Sequence, residues 1–280
     1  MDWNFIFGVL LGILAALMLN IGKGVQKQKV HVFLKGRAMF RKDNRADLGF
    51  WCLGLAITAG AALPYSLGLW LTKSPSTIAA MTGVGLIGLL VYALKVIGEK
   101  VGKRDGLGIG LVIVGTSLLG YLGAAEGDSV REFVDRSLII TVVVMTLVAA
   151  SACLLAWFSK RVHGPTFGLT AGLCIGLAIF LADVGLVRAG GSFSGQLSTP
   201  YPYVAIGFAA VATVTTQFGF IRGRALEVVP AVNAATILTP LVLEMAIYGA
   251  VPPTVNLVII AVILAGVFLL STGTVSKAAS

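Results

Sequence analysis

Apolar residues in this chain come in long runs rather than in the stripes of an amphipathic helix. Nine stretches, at approximately 4–22, 48–70, 76–97, 106–124, 138–158, 167–187, 202–221, 226–248 and 254–272, are almost unbroken Leu, Ile, Val, Ala, Phe and Gly. Polar residues collect in the segments between them. Crossing ~30 Å of hydrocarbon at ~1.5 Å rise per residue takes about 20 apolar residues, so each run predicts a membrane-spanning helix. A transmembrane β-barrel would alternate over ~10-residue segments instead, and the chain has no such pattern. The expected fold is an all-α integral membrane protein of nine transmembrane helices.

Composition agrees: 57% of the 280 residues are hydrophobic, 12% are charged, and the mean hydropathy is +0.95. A net charge of +9 raises the question of nucleic acid. Sorting the charges by segment answers it differently. With the N-terminus placed outside, seventeen Lys and Arg fall on inner loops and span ends, while only Lys73, Arg131, Arg136 and Arg188 fall outside. That is the positive-inside bias of a multi-pass protein. It predicts a cytoplasmic C-terminus, residence in the plasma (inner) membrane, and the lipid bilayer rather than nucleic acid as partner. The basic segment 23–47 reads as an inner loop that fixes topology, with Lys23 and Lys95 snorkelling to the inner surface. The first run follows "MDWN", which has no basic residue, and therefore reads as a retained helix rather than a signal peptide. Cys52, Cys153 and Cys174 all fall inside runs without metal-type spacing and read as apolar packing.

The runs also repeat. "GVLLGILAAL" (8–17) lines up with "GLTAGLCIGL" (168–177), and "VIGEKVGKRDGLGIGLVIVG" (96–115) with "IYGAVPPTVNLVIIAVILAG" (247–266). Each half then holds four helices, spans 1–4 in residues 1–125 and spans 6–9 in residues 165–280, with the linking helix in 126–164. One intervening helix turns the second half upside down. Inverted repeats of this kind are characteristic of secondary transporters, which hold substrate near the midplane between the repeats. Gly8 and Gly12, and Gly168, Gly172 and Gly176, recur at the small-xxx-small spacing that lets helices approach closely.

Motifs for soluble chemistry fail in context. "GVGLIG" (83–88) lies within a membrane run rather than at a strand-to-helix turn, and "GGSFSG" (190–195) carries Phe193 where a nucleophilic serine would stand. His31 and His163 have no zinc-type partners. The sequence therefore argues against an enzyme and implies no cofactor. What remains is the polar inventory inside the runs, where an ionisable side chain is a functional hypothesis by default. Asp183 and Glu244 lie toward the outer ends of spans 6 and 8. Asn233, Pro240 and Glu244 share one helical stripe that should face a cavity, and Pro240 frees a carbonyl near Thr236. Asn20 and Tyr65 are the matching polar groups of the first half. Two carboxylates with amide and hydroxyl oxygens nearby suit a hard divalent ion such as magnesium, held by Asp183 and Glu244 as metal ligands with Asn233 and Thr236 as neutral ones. They suit a proton-coupled carrier equally well, and Asp183 can instead pair with Arg188.

Residues "LKGRAMFRKDNRADLGFWCLGLAITAGAALPYSLGLW", the pair Glu99-Lys100, and "TQFGFIRGRALEVVPAVNAATILTP" resemble the NIPA-type magnesium transporters of the drug/metabolite transporter (DMT) superfamily. That resemblance implies the superfamily's fold and, as the transported ion, magnesium. The expected activity is alternating-access transport of a divalent cation. The alternatives are proton-coupled export of a small metabolite or lipophilic cation, and a non-transporting membrane scaffold or lipid-binding protein. Assembly as a homodimer is left open.

Overall fold

The computed structural model describes residues 3–72, 81–122, 135–158, 163–190, 192–248 and 253–271. Among these residues every long element is a helix and no strand occurs: α1 (Trp3–Lys29), α2 (Lys42–Gly60), α3 (Ala62–Thr72), α4 (Thr82–Tyr92), α5 (Lys103–Leu122), α6 (Asp135–Phe158), α7 (His163–Arg188), α8 (Tyr201–Arg222), α9 (Ala225–Tyr248) and α10 (Thr254–Ser271). A helix, or for 48–70 a broken pair, lies over each predicted run. Among the described residues six stretches are long and apolar enough to cross a membrane: Trp3–Phe40, Lys42–Thr72, Arg136–Phe158, Gly164–Arg188, Tyr201–Arg222 and Ala225–Ile247. Gly83–Ile97 and Thr254–Leu270 are apolar but shorter. Ile140, Leu147 and Leu154 stand exposed along one face of α6, a stripe that water would not tolerate and lipid would. The chain is an all-α membrane protein.

One local departure from the sequence reading has a physical cause. The run 48–70 breaks at Ala61 because Pro64, which has no N–H to give and crowds the carbonyl four residues back, sits just beyond. Within the basic segment 23–47 the backbone is largely helical. α1 continues to Lys29, 3-10 turns follow over Val30–Phe40 with a break at Gly36 (φ 54°), and α2 begins at Lys42.

Packing follows one scheme in each half. α1 is the hub of the first, touching α2, α3 and α4, and α7 is the hub of the second, touching α6, α8 and α9. α5 pairs with α10, where Gly108 and Gly266 face each other so closely that a Cβ on either would lie 2.9 or 2.8 Å from the other's carbonyl oxygen. The glycine stripe of α7 is a packing seam, as its spacing predicts. A Cβ on Gly168 would lie 2.6 Å from the Val228 carbonyl, one on Gly172 would run into the Val232 carbonyl, and one on Gly176 would lie 2.5 Å from Thr239 Cβ. The main apolar core joins Leu86 and Leu89 of α4, Val112 of α5, Ile263 of α10 and a long buried series from Leu226 to Ala234 in α9. α9 is thereby the most enclosed helix, and any polar group on it needs a partner.

Candidate functional site

Such a group is Asn233. Its amide nitrogen donates to Asn20 Oδ1 at 2.8 Å, and its carbonyl oxygen accepts from Lys23 Nζ at 3.2 Å. Asn20 Nδ2 in turn donates to the Ala16 carbonyl at 2.9 Å. All three side chains are buried, at 0% exposure for Asn20, 4% for Asn233 and 6% for Lys23. One face of α1 in the first half is thus bonded to the middle of α9 in the second. α4 closes over the cluster at Gly85, where any Cβ would collide with the Ala16 carbonyl and the Asn20 amide. Lys23 does not snorkel to a surface. Its ammonium points inward, and among the described residues Asn233 Oδ1 is its hydrogen-bond acceptor and no carboxylate pairs with it.

A second polar ladder starts one turn further along α1. Gln26 Nε2 donates to Thr58 Oγ1 at 3.0 Å, Gln217 Nε2 to Gln26 Oε1 at 2.8 Å, and Trp51 Nε1 to Gln217 Oε1 at 2.9 Å. It ties α2 and α1 to α8. Beyond it the α8–α9 junction is held by charges from the first half. Lys27 Nζ donates to the carbonyls of Phe220 and Gly223, the latter at 2.7 Å, satisfying carbonyls that the end of α8 leaves open. Glu99 accepts from the backbone N–H groups of Ala225 at 2.6 Å and Leu226 at 3.1 Å, so a carboxylate from a distant segment caps the N-terminus of α9. Glu99 is aimed there by a π-helical turn, Ala93–Ile97, that ends at left-handed Gly98 (φ 79°). Its own N–H folds back to the Ala93 carbonyl at 2.9 Å. Burial pushes the Glu99 carboxyl above its ordinary range, while the two backbone donors, Lys27 and Arg224 pull it back. Arg224 completes the junction, bonding Glu227 at 2.6 Å, Asp105 at 2.9 Å and the Lys100 carbonyl at 3.0 Å. Arg222 stacks its guanidinium over Trp157, 4.4 Å from the ring centre.

Glu99→Ala is expected to leave two buried N–H groups open. The cost should be about 1–2 kcal/mol of stability, read as a lower melting temperature of the detergent-purified protein, with Glu99→Gln recovering part of it.

Of the other residues read from the sequence, Tyr65 is exposed and lines a half-open cavity of about 340 Å³ between α1 and α2–α3, together with Gly12, Ala16, Leu19, Thr58 and Ala61. Ala16 connects the cavity to the polar cluster, since it both lines the one and accepts the Asn20 amide of the other. Thr236 turns toward α7: its hydroxyl reaches the Gly172 carbonyl at 3.4 Å, and its own carbonyl lies 3.1 Å from where a Gly176 Cβ would be. The oxygen freed by Pro240 therefore packs against a glycine instead of facing a cavity. Asp183 is exposed on α7, and neither it nor Arg188 is without a partner. The side chain of Glu244 lies outside the described residues. Among the described residues no three of His, Cys, Asp and Glu converge as a metal site would require. The cluster was half legible, because Asn20 and Asn233 stand out as amides in apolar runs, whereas Lys23, Gln26, Lys27 and Gln217 did not. Their signal was the helical spacing of 20, 23 and 27, which continues α1 past the first charge. A scan against protein-family models, a search of curated proteins and a search of solved structures each found no match.

Proposed function

We propose that the chain is a secondary transporter of the DMT type, carrying a small polar solute across the membrane by alternating access between its two four-helix halves. The observation that carries this reading is the buried Asn20–Asn233–Lys23 cluster, which joins a helix of one half to a helix of the other in the interior. A purely structural bundle has no need of a charge there, since buried ionisable groups in membrane proteins are costly and mark solute or ion pathways. The equivalent hub packing of α1 and α7 and the glycine pair of α5 and α10 also support an inverted repeat joined by α6. The NIPA-like segments point the same way, with the N-terminus outside and the C-terminus cytoplasmic in the inner membrane.

A positive charge at the contact of the halves favours a metabolite over magnesium, because a divalent cation entering that space is repelled by the ammonium. The divalent reading rests on Asp183 and Glu244. Proteoliposome flux separates the two. A metabolite carrier shows solute-driven currents or lumenal pH changes that Asn233→Leu abolishes in folded protein. Magnesium-dependent flux lost in Asp183→Asn and Glu244→Gln, with no metabolite response, overturns the reading in favour of the ion.

A further inference from the structure

The donor and acceptor inventory of the buried cluster is unbalanced. An ammonium offers three N–H donors and each amide two. Of these, one Lys23 hydrogen goes to Asn233, one Asn233 hydrogen to Asn20, and one Asn20 hydrogen to Ala16. Among the described residues two hydrogens on Lys23 and one on each amide remain, against one further lone pair on each of Asn20 Oδ1 and Asn233 Oδ1. Three side chains at least 94% buried, on the exposures given above, thus carry a surplus of donors and a net positive charge. Buried polar groups in folded proteins are nearly always paired, and an isolated buried charge is more costly still. The chemical complement of such a cluster is an acceptor that bears negative charge and can take several N–H groups. A divalent cation adds like charge, and an amine or a sugar hydroxyl brings no negative charge. Chloride supplies the charge but no shape. A carboxylate supplies two oxygens with about four lone-pair directions.

The neighbouring cavity describes the rest of such a molecule. Its wall is Gly12, Ala15, Ala16, Leu19, Ala61 and Ala62, with Thr58 and Tyr65 as polar accents, and its volume of about 340 Å³ is at the small end of ligand pockets. Small side chains make a slot for a short aliphatic body. Ala16, shared between slot and cluster, sets them side by side along α1.

We infer that Lys23, Asn20 and Asn233 form the subsite for the carboxylate of a small aliphatic acid whose hydrocarbon part occupies the slot between α1 and α2–α3. This inference rests on the transport reading for its purpose but not for its test. The cluster's free donors take the carboxylate oxygens, and binding discharges the burial cost of the ammonium. Among the described residues Asn233 alone accepts from Lys23, so Asn233→Asp installs a permanent counter-ion that competes with the acid.

The test is binding to the detergent-purified full chain. Sodium butyrate, butylammonium chloride and sodium chloride are compared at equal ionic strength by thermal shift and by calorimetric titration. Butyrate should raise the melting temperature in a concentration-dependent way, and the two chloride salts should not. Lys23→Met and Asn233→Asp should each weaken butyrate by roughly ten- to a hundredfold, with Asn233→Asp itself melting no lower than the parent. Lys35→Gln, which removes an exposed charge, should leave butyrate binding unchanged. Equal responses to butyrate and chloride overturn the inference, as does a butyrate response that survives Lys23→Met. So does proton movement lost in Lys23→Met without any butyrate response, which makes the lysine a proton carrier. Butyrate binding of the expected pattern without flux of any solute in vesicles leaves the inference standing and removes the transport reading. Flux of a neutral or cationic solute with no butyrate binding does the reverse.

Discussion

Gly172→Leu is expected to abolish folded protein. The α7–α9 seam brings the Gly172 Cα so close to the Val232 carbonyl that even a Cβ collides with backbone. No rotamer change relieves a clash with a main-chain oxygen. The helices must separate along a seam that Gly168 and Gly176 also use, so the loss should be about 3 kcal/mol or more. Monodispersity on size-exclusion chromatography and the melting transition measure it. The paired control is Gly207→Leu on α8, which meets no atom within 4 Å and should elute and melt as the parent does. Similar behaviour of the two variants would mean that the seam does not hold the second half together.

Lys23→Met should do the opposite of what a core substitution ordinarily does. It removes a buried ammonium that has one neutral partner, and fills the same space with an unbranched apolar chain. Exchanging a buried charged group for a packed apolar one is often neutral or stabilising by about 1–4 kcal/mol, and here no counter-ion is lost among the described residues. The melting temperature should rise while solute flux disappears. Asn233→Leu keeps the charge and removes its acceptor, and should melt well below the parent. That ordering, Met above parent above the Asn233 variant, separates a functional lysine from a structural one. A Lys23→Met protein as unstable as Asn233→Leu would show that the bond to Asn233 is what the fold needs.

The helices were legible in the sequence because apolar runs of membrane length leave few other structures open to them. Gly168, Gly172 and Gly176 announced a seam by spacing alone, and Asn233 announced itself as an amide with nowhere polar to go. What escaped has a common cause. Reading a span as ending at its first charge stops α1 at Gly22, whereas the backbone runs on to Lys29, and the bonding face of that extension depends on partners some 190 to 210 residues away. No local pattern encodes such a partner. Thr236 was identified as a polar group with an opened carbonyl, but its direction toward α7 was set by glycines on another helix. Glu99, read in the sequence as a polar group at the inner end of span 3 and as half of a family-like Glu-Lys pair, turns out to be the N-terminal cap of a helix in the other half.

The distribution of the inter-half bonds along α1 bears on how such a molecule could move. From Asn20 to Lys27 every turn is fastened to the second half, and the ladder continues through Glu99 and Arg224. From Gly12 to Leu19 the same helix borders the slot. The conformation is therefore latched at one end, and the latch consists of directional polar bonds instead of apolar surface. Apolar faces can slide while remaining in contact. On the transport reading proposed above, hydrogen bonds and ion pairs of this kind must let go together, so the two halves would switch between distinct settings instead of passing through a continuum of partly opened forms.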